Sequence, residues 1–292
     1  MDIKSILIKN RPQLIESSQK TYISILQSLY KKIYPDDIEI DVNKYNDTDI
    51  FIKYLLKNKE ASQRKTYLSA LYVFTNKDDY KNLMTEDIKK HNIQESKQEK
   101  NQKQTDNWIE QYELKDILDV LETNIKHIYK LKHLSIFNLQ DIQDYIILCL
   151  VSGYYIAPRR SIDWTELKIK NYVEGTDNYL KKNEFTFNIY KTFKFKGRQK
   201  VKMNNTLNRI IKKWIKINPT DYLLFDSNYN KLTNVQLTQR LNKILNRKAS
   251  INILRHSYIT EKHKKINTLN EIEKTADEMG HGLKQHLEYI KN

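Results

Sequence analysis

Apolar residues recur at three- and four-residue intervals through most of the chain, the period of an amphipathic helix. The first run follows Ser17-Ser18-Gln19-Lys20, with Tyr22, Ile25, Leu26, Leu29 and Tyr30 on one face. Ile50, Ile52, Tyr54, Leu55 and Leu56 predict a second helix, and Ser62 followed by Tyr67, Leu68, Leu71, Tyr72 and Phe74 a third. The pattern then fails. Residues 93–107 read IQESKQEKNQKQTDN, a run too poor in apolar side chains to bury the surface that folding alone requires. They predict a linker between a helical module over residues 1–92 and a second domain over 108–292.

In the second domain the helical spacing returns at 109–121 and 139–151. It gives way to two-residue alternation in FTFNIY (185–190), a turn at Lys196-Gly197-Arg198 and a returning strand at 199–203, which predicts a β-hairpin inside a helical domain. Helical patterns resume at 207–214, 235–245, 254–264 and 270–279. Only 5 Gly and 4 Pro interrupt the 292 residues. The expected class is mainly α with a small β-hairpin or sheet.

Charge adds a partner to this picture. The chain carries 51 Lys and Arg against 36 Asp and Glu, a formal net charge of +15. The first 104 residues hold 19 basic and 15 acidic side chains, so most of the excess belongs to the second domain. An excess of this size attracts polyanions, and with no apolar stretch of about 18 residues to anchor a membrane, nucleic acid is the expected partner. Lys20, Lys31, Lys32, Arg64 and Lys65 are candidates to face phosphates, with a solvated helix face as the plainer reading. The single cysteine, Cys149 in the apolar run IILCLV, excludes an internal disulfide and a cysteine zinc site. Neither GxGxxG nor GxxxxGK[ST] occurs, so nucleotide cofactors are not expected. The N-terminus lacks a signal-peptide pattern, and an intracellular protein is expected.

Four short segments share one chemical theme. They are Ala157-Pro158-Arg159-Arg160-Ser161-Ile162-Asp163-Trp164; Tyr190-Lys191-Thr192-Phe193-Lys194-Phe195-Lys196-Gly197; Asn252-Ile253-Leu254-Arg255-His256-Ser257; and Met279-Gly280-His281 with Tyr289 eight residues further on. Together they offer guanidiniums to grip phosphate oxygens, a lysine acid on a hairpin and a phenol nucleophile, enough to break a phosphodiester without a metal. Each piece alone has a plainer reading. Arg-Arg pairs usually lie on a salt-bridged face, Gly280 is a natural helix terminator beside a satisfied His281, and His256 fits a core.

In combination the segments resemble the motifs of the tyrosine recombinase (phage-integrase-like) family, most closely in the style of integrases from virophages and large DNA viruses. The resemblance implies a two-domain DNA clamp, with a helical core-binding domain before the catalytic one. It implies that Tyr289 attacks a backbone phosphate to form a 3′-phosphotyrosine, without metal or ATP. Arg160, Arg255 and His281 would hold the phosphate, with Asn252 assisting where the family usually has histidine. Arg160 fits the first arginine better than Arg159, because Asp163 and Trp164 follow it at the family's spacing. Lys191, or else Lys194, would be the general acid, and His256 would brace Arg255 or the phosphate. Lys196 and Arg198 of the hairpin join Lys20, Arg64 and Lys65 as expected DNA contacts. Recombination in the family engages four protomers on two duplexes, the free protein being monomer or dimer. Three residues follow Tyr289, so the helix that relatives commonly send into a neighbouring protomer is expected to be absent or supplied elsewhere. The alternative functions are a type IB topoisomerase-like nicking-closing enzyme and an inactive DNA-binding relative, for which Asn252 is the sequence hint.

Overall fold

Asp2 accepts the Ser5 N–H at 2.7 Å and so caps helix α1 (Ile3–Asn10). Four further helices complete the first unit, Met1–Lys97: α2 (Glu16–Ile33), α3 (Thr48–Asn58), α4 (Ala61–Thr75) and α5 (Asp78–Ser96), with a 3-10 turn over Val42–Asn46. The computed structural model describes residues 2–264 and 268–291. The predicted stripes form this unit's core, where Leu26, Leu29, Tyr30, Leu68, Leu71 and Phe74 are buried with Tyr45, Phe51 and Leu55. Two fully buried tyrosines satisfy their hydroxyls on backbone carbonyls. Tyr45 donates to Leu26 O at 2.9 Å and Tyr80 to Tyr45 O at 2.8 Å.

Arg64 corrects an expectation. Its guanidinium does not face outward but is buried between α4 and α5, where Nε and Nη2 donate to the two Asp87 carboxylate oxygens at 2.7 and 2.5 Å and Nη1 to Lys59 O at 2.7 Å. Asp87 has no exposed surface, and a buried carboxylate requires such a counter-ion.

The segment read as a linker carries structure of its own. Residues 93–96 complete α5, and α6 (Gln102–Asn107) opens on a reciprocal capping box between Asn101 and Gln104. Polar side chains that cannot build a core can still terminate and cap helices.

The second unit, Gln98–Asn292, is built on α8 (Ile136–Val151), in which every residue from Ile142 onward is buried, Cys149 included. A helix apolar on all sides must be surrounded. Against it pack α7 (Gln111–Ile125), α11 (Asn205–Ile217), α12 (Asn234–Leu245) and α13 (Ile251–His263). Between α8 and α11 lie a short α9 (Ser161–Thr165) and a sheet of four strands, β1 (Leu167–Lys168), β2 (Asn178–Lys181), β3 (Glu184–Phe187) and β4 (Gln199–Lys202). The strands are ordered β1-β2-β3-β4, parallel at the first pairing and antiparallel at the other two. Trp164 of α9 meets Phe185 and Phe187 edge-on and seals α9 to the sheet. The chain closes with α14 (Leu269–Glu278) and α15 (Leu283–Glu288). No helix among the described residues is long and apolar enough to cross a membrane.

The predicted hairpin is β3 and β4, with Phe187 opposite Gln199, but its strand ends earlier than the alternation suggests. The Asn178 side-chain oxygen accepts both Asn188 N–H at 2.7 Å and Ile189 N–H at 2.6 Å, which draws the chain out of the ladder. The expected tight turn at 196–198 is replaced by a longer connection. It contains a four-residue helix, α10 (Phe193–Lys196), and is closed by Tyr190 Oη donating to Gly197 O at 2.6 Å.

Candidate active site

The two arginines after Pro158 take opposite roles. Arg159 is fully buried: Nε pairs with Asp163 at 2.7 Å, Nη1 donates to Glu278 O at 2.7 Å and Nη2 to Gln199 Oε1 at 2.8 Å. Its guanidinium also lies 4.1 Å from the Phe187 ring centroid. Burial pulls this guanidinium below and the Asp163 carboxyl above their ordinary values, and each charge opposes the other's shift. Arg159 therefore joins α9, the sheet and the end of α14. Arg160 is half-buried and donates only to neutral acceptors, Gly280 O at 3.0 Å and Gln285 Oε1 at 2.9 Å.

Gly280 is the node of this arrangement. Its φ of +68° is a left-handed conformation that favours glycine, and a Cβ there would sit 2.7 Å from Arg159 Nη2. Its carbonyl accepts Thr192 Oγ1 at 2.9 Å as well as Arg160, so the β3–β4 connection is tied beside the arginines.

From α13, Arg255 reaches the same place. It is fully buried and donates to Pro158 O at 3.2 Å, Met279 O at 3.4 Å and, through Nη2, to His281 Nδ1 at 2.6 Å. Its Nε makes no hydrogen bond, and its guanidinium carbon lies 4.9 Å from the Tyr289 ring centroid. Burial lowers this guanidinium from its ordinary value, while Tyr289 beside it acts in the opposite sense. Neither Arg160 nor Arg255 forms an ion pair among the described residues.

Arginine can only donate, so His281 Nδ1 must accept and the neutral ring carries its proton on Nε2. That nitrogen lies 3.2 Å from His286 Nδ1, which then accepts in turn. Burial and then the Arg255 charge push His281 down to about 2, and burial followed by the Lys262 charge pushes His286 down to about 4. Both imidazoles are neutral at physiological pH. The Tyr289 ring stacks on His281 at 5.3 Å and 14°, and meets His256 at 4.4 Å. His256 Nδ1 donates to Tyr289 O at 2.8 Å, and Lys291 N–H donates to Thr260 Oγ1 at 2.9 Å, so α13 holds this closing segment on both sides of Ile290.

Of the residues singled out in the sequence, Arg160, Arg255, His256, His281 and Tyr289 thus come together. Lys191 is exposed but adjoins the anchored Thr192, and Lys194 is exposed on α10. Asn252 is exposed in the first turn of α13, three residues before Arg255. Lys196 pairs with Asp277, and Arg198 donates to Asn188 Oδ1 at 3.0 Å and to Glu174 O at 3.3 Å. In the first unit Lys20 is exposed and pairs with Glu16 at 2.8 Å, and Lys65 is partly exposed. Thr192, Gln285 and His286 are contacts the motifs do not single out. Thr192 was marked only by its place next to Lys191, and His286 by lying one helical turn before Tyr289.

The assembly gathers two guanidiniums with no carboxylate partner among the described residues, a phenol and neutral imidazoles, a set that suits a phosphate anion and a nucleophile. No family model and no curated protein matches the chain. Solved structures do. One is a lambda integrase dimer bound to a COC′ core site, at TM-score 0.55 and 12% identity, matched over 98% of this chain and 77% of that one. Another is the Tn1549 transposon integrase in complex with circular intermediate DNA, at TM-score 0.51 and 12% identity, over 100% and 96% of the two chains. The chain has the fold of the tyrosine recombinases and integrases.

Proposed function

We propose that this chain is a site-specific DNA recombinase of the integrase kind. Tyr289 Oη, losing its proton to water, attacks a backbone phosphorus. The P–O5′ bond breaks, and the departing O5′ takes a proton from Lys191, with Lys194 as the alternative. Arg160 and Arg255 neutralise the charge that builds on the non-bridging oxygens. His281 Nε2–H, exchanging its His286 acceptor for the phosphate, hydrogen-bonds one of them, and Asn252, from the first turn of α13, supplies an amide to another. The resulting 3′-phosphotyrosine keeps the bond energy, and a 5′-hydroxyl from a partner strand reverses the step. Four protomers on two duplexes would carry a full exchange.

One observation carries this reading. Two guanidiniums have no carboxylate partner among the described residues: Arg255, beside the Tyr289 ring, and Arg160, on the Gly280 carbonyl next to His281. Leaving cations unpaired in a buried place is costly unless an anion completes them. The experiment is strand exchange between two differently labelled duplexes drawn from the DNA that flanks the chain's own gene. Recombinant joints with wild type and none with Tyr289→Phe support the proposal. Relaxation of supercoiled DNA without joints would contradict it and favour a nicking-closing enzyme.

A further inference from the structure

The β3–β4 connection is tied down at three places, and one large apolar side chain escapes all of them. Tyr190 Oη holds Gly197 O, Thr192 Oγ1 holds Gly280 O at 2.9 Å, and Lys196 pairs with Asp277. Phe193 packs edge-on against Tyr190. Phe195, on the same turn of α10, is 88% exposed.

An exposed phenylalanine is unfavourable on its own, and a single one needs no explanation. This one has a charged setting. Lys191 is exposed just before the turn and Lys194 within it, whereas Lys200, beyond it on β4, pairs with Glu184 at 2.9 Å. The facing acid Asp277 is already occupied by Lys196, and Glu174 by Lys181. A partner that offers negative charge together with flat apolar faces fits this surface, and nucleic acid offers both, as phosphates and as base faces. The place also fits. Thr192 is bonded to Gly280, the neighbour of His281, and Phe195 lies three residues beyond it, within about 5 Å of helix rise. Thr192 and Arg160 share the Gly280 carbonyl, at 2.9 and 3.0 Å, so at roughly 3.4 Å per base step Phe195 lies a few nucleotides from a phosphate held at Arg160.

We infer that Phe195 is a wedge that inserts between two stacked bases of the duplex, beside the phosphate under attack. This rests on the reading of the site as a DNA-cleaving one. Apolar side chains inserted in this way unstack and kink a base step, which here would present the strained phosphate to Tyr289.

The test measures duplex affinity and the rate of covalent protein–DNA adduct formation for wild type, Phe195→Ala and Phe195→Trp. Phe195→Ala is expected to weaken binding or slow the adduct about five- to hundredfold, the range for loss of one base–aromatic stack, while Phe195→Trp stays within about twofold of wild type. An abasic position within three nucleotides of the cut, which removes the cost of unstacking, should restore Phe195→Ala to near the wild-type rate. Unchanged binding and rate in Phe195→Ala would overturn the wedge, as would equal losses in both variants without rescue. A wild type that forms no adduct at all would instead overturn the underlying reading of the site.

Discussion

Arg64 in the first unit and Arg255 in the second are both buried, and the two are treated in opposite ways. In the first unit Arg64 meets a carboxylate through two nitrogens and a carbonyl through a third, so its charge is consumed where it stands. In the second unit Arg255 is buried as deeply but is given only carbonyls, an imidazole and an aromatic ring, with Nε left without a hydrogen bond. The contrast recurs between neighbours, since Arg159 pairs with Asp163 and Arg160 with nothing charged. A paired arginine is part of the scaffold. On the proposed reading, an arginine withheld from acids is reserved for an anion that arrives later.

Substitution separates the two kinds of arginine. The largest effect is expected at Arg64→Ala, which leaves the Asp87 carboxylate buried and alone. Loss of one partner from such a pair costs about 3–5 kcal/mol, and thermal or urea unfolding should show it in the first unit. Arg255→Ala leaves no acid stranded. It should spare the fold relative to Arg64→Ala and instead slow adduct formation by about 10²–10³, the usual loss when one preorganised donor to a developing charge is removed. If Arg255→Ala unfolds the chain as readily as Arg64→Ala, the distinction between scaffold and reserved arginines fails.

A smaller effect tests the same point through pH. His281 and His286 are held down to about 2 and about 4 beside Arg255, whereas in the unfolded chain both titrate near 6.5. The unfolded state therefore binds protons that the folded state refuses, and stability falls as pH drops below about 6.5. The slope approaches about 1.4 kcal/mol per pH unit for each histidine. Calorimetry between about pH 7 and 5, above the range where unshifted carboxylates titrate, should show this loss, and His286→Gln should remove its share. A pH-independent melting temperature over that window would mean that the pair is not held neutral.

Much of this was legible in the sequence, and the failures have physical causes. The stripes of the first unit and the Arg255, His281 and Tyr289 motifs are local, and local spacing survives folding. Arg64 was misread as a surface cation because its partner sits 23 positions away on the next helix, where no spacing rule reaches. The resemblance favoured Arg160 over Arg159, but that Arg159 takes Asp163 as its partner was invisible for a similar reason. Adjacent residues at a helix start point apart, and which of them meets the core depends on Asp163 and on a carbonyl from α14. The hairpin was found but its end misplaced, because Asn178 intercepts the strand from a neighbour that the alternation did not mark.

The measurement that bears most directly on the reserved arginines is covalent capture. A nicked duplex from the flanking DNA, which loses its 5′ fragment once cut, is incubated with the protein in EDTA and run on a denaturing gel. The account predicts a protein–DNA adduct with wild type, none with Tyr289→Phe, and a strongly reduced amount with Arg160→Ala or Arg255→Ala. Salt-sensitive binding to the same duplex with no adduct from wild type would contradict it, and would leave the site as an anion grip without a working nucleophile.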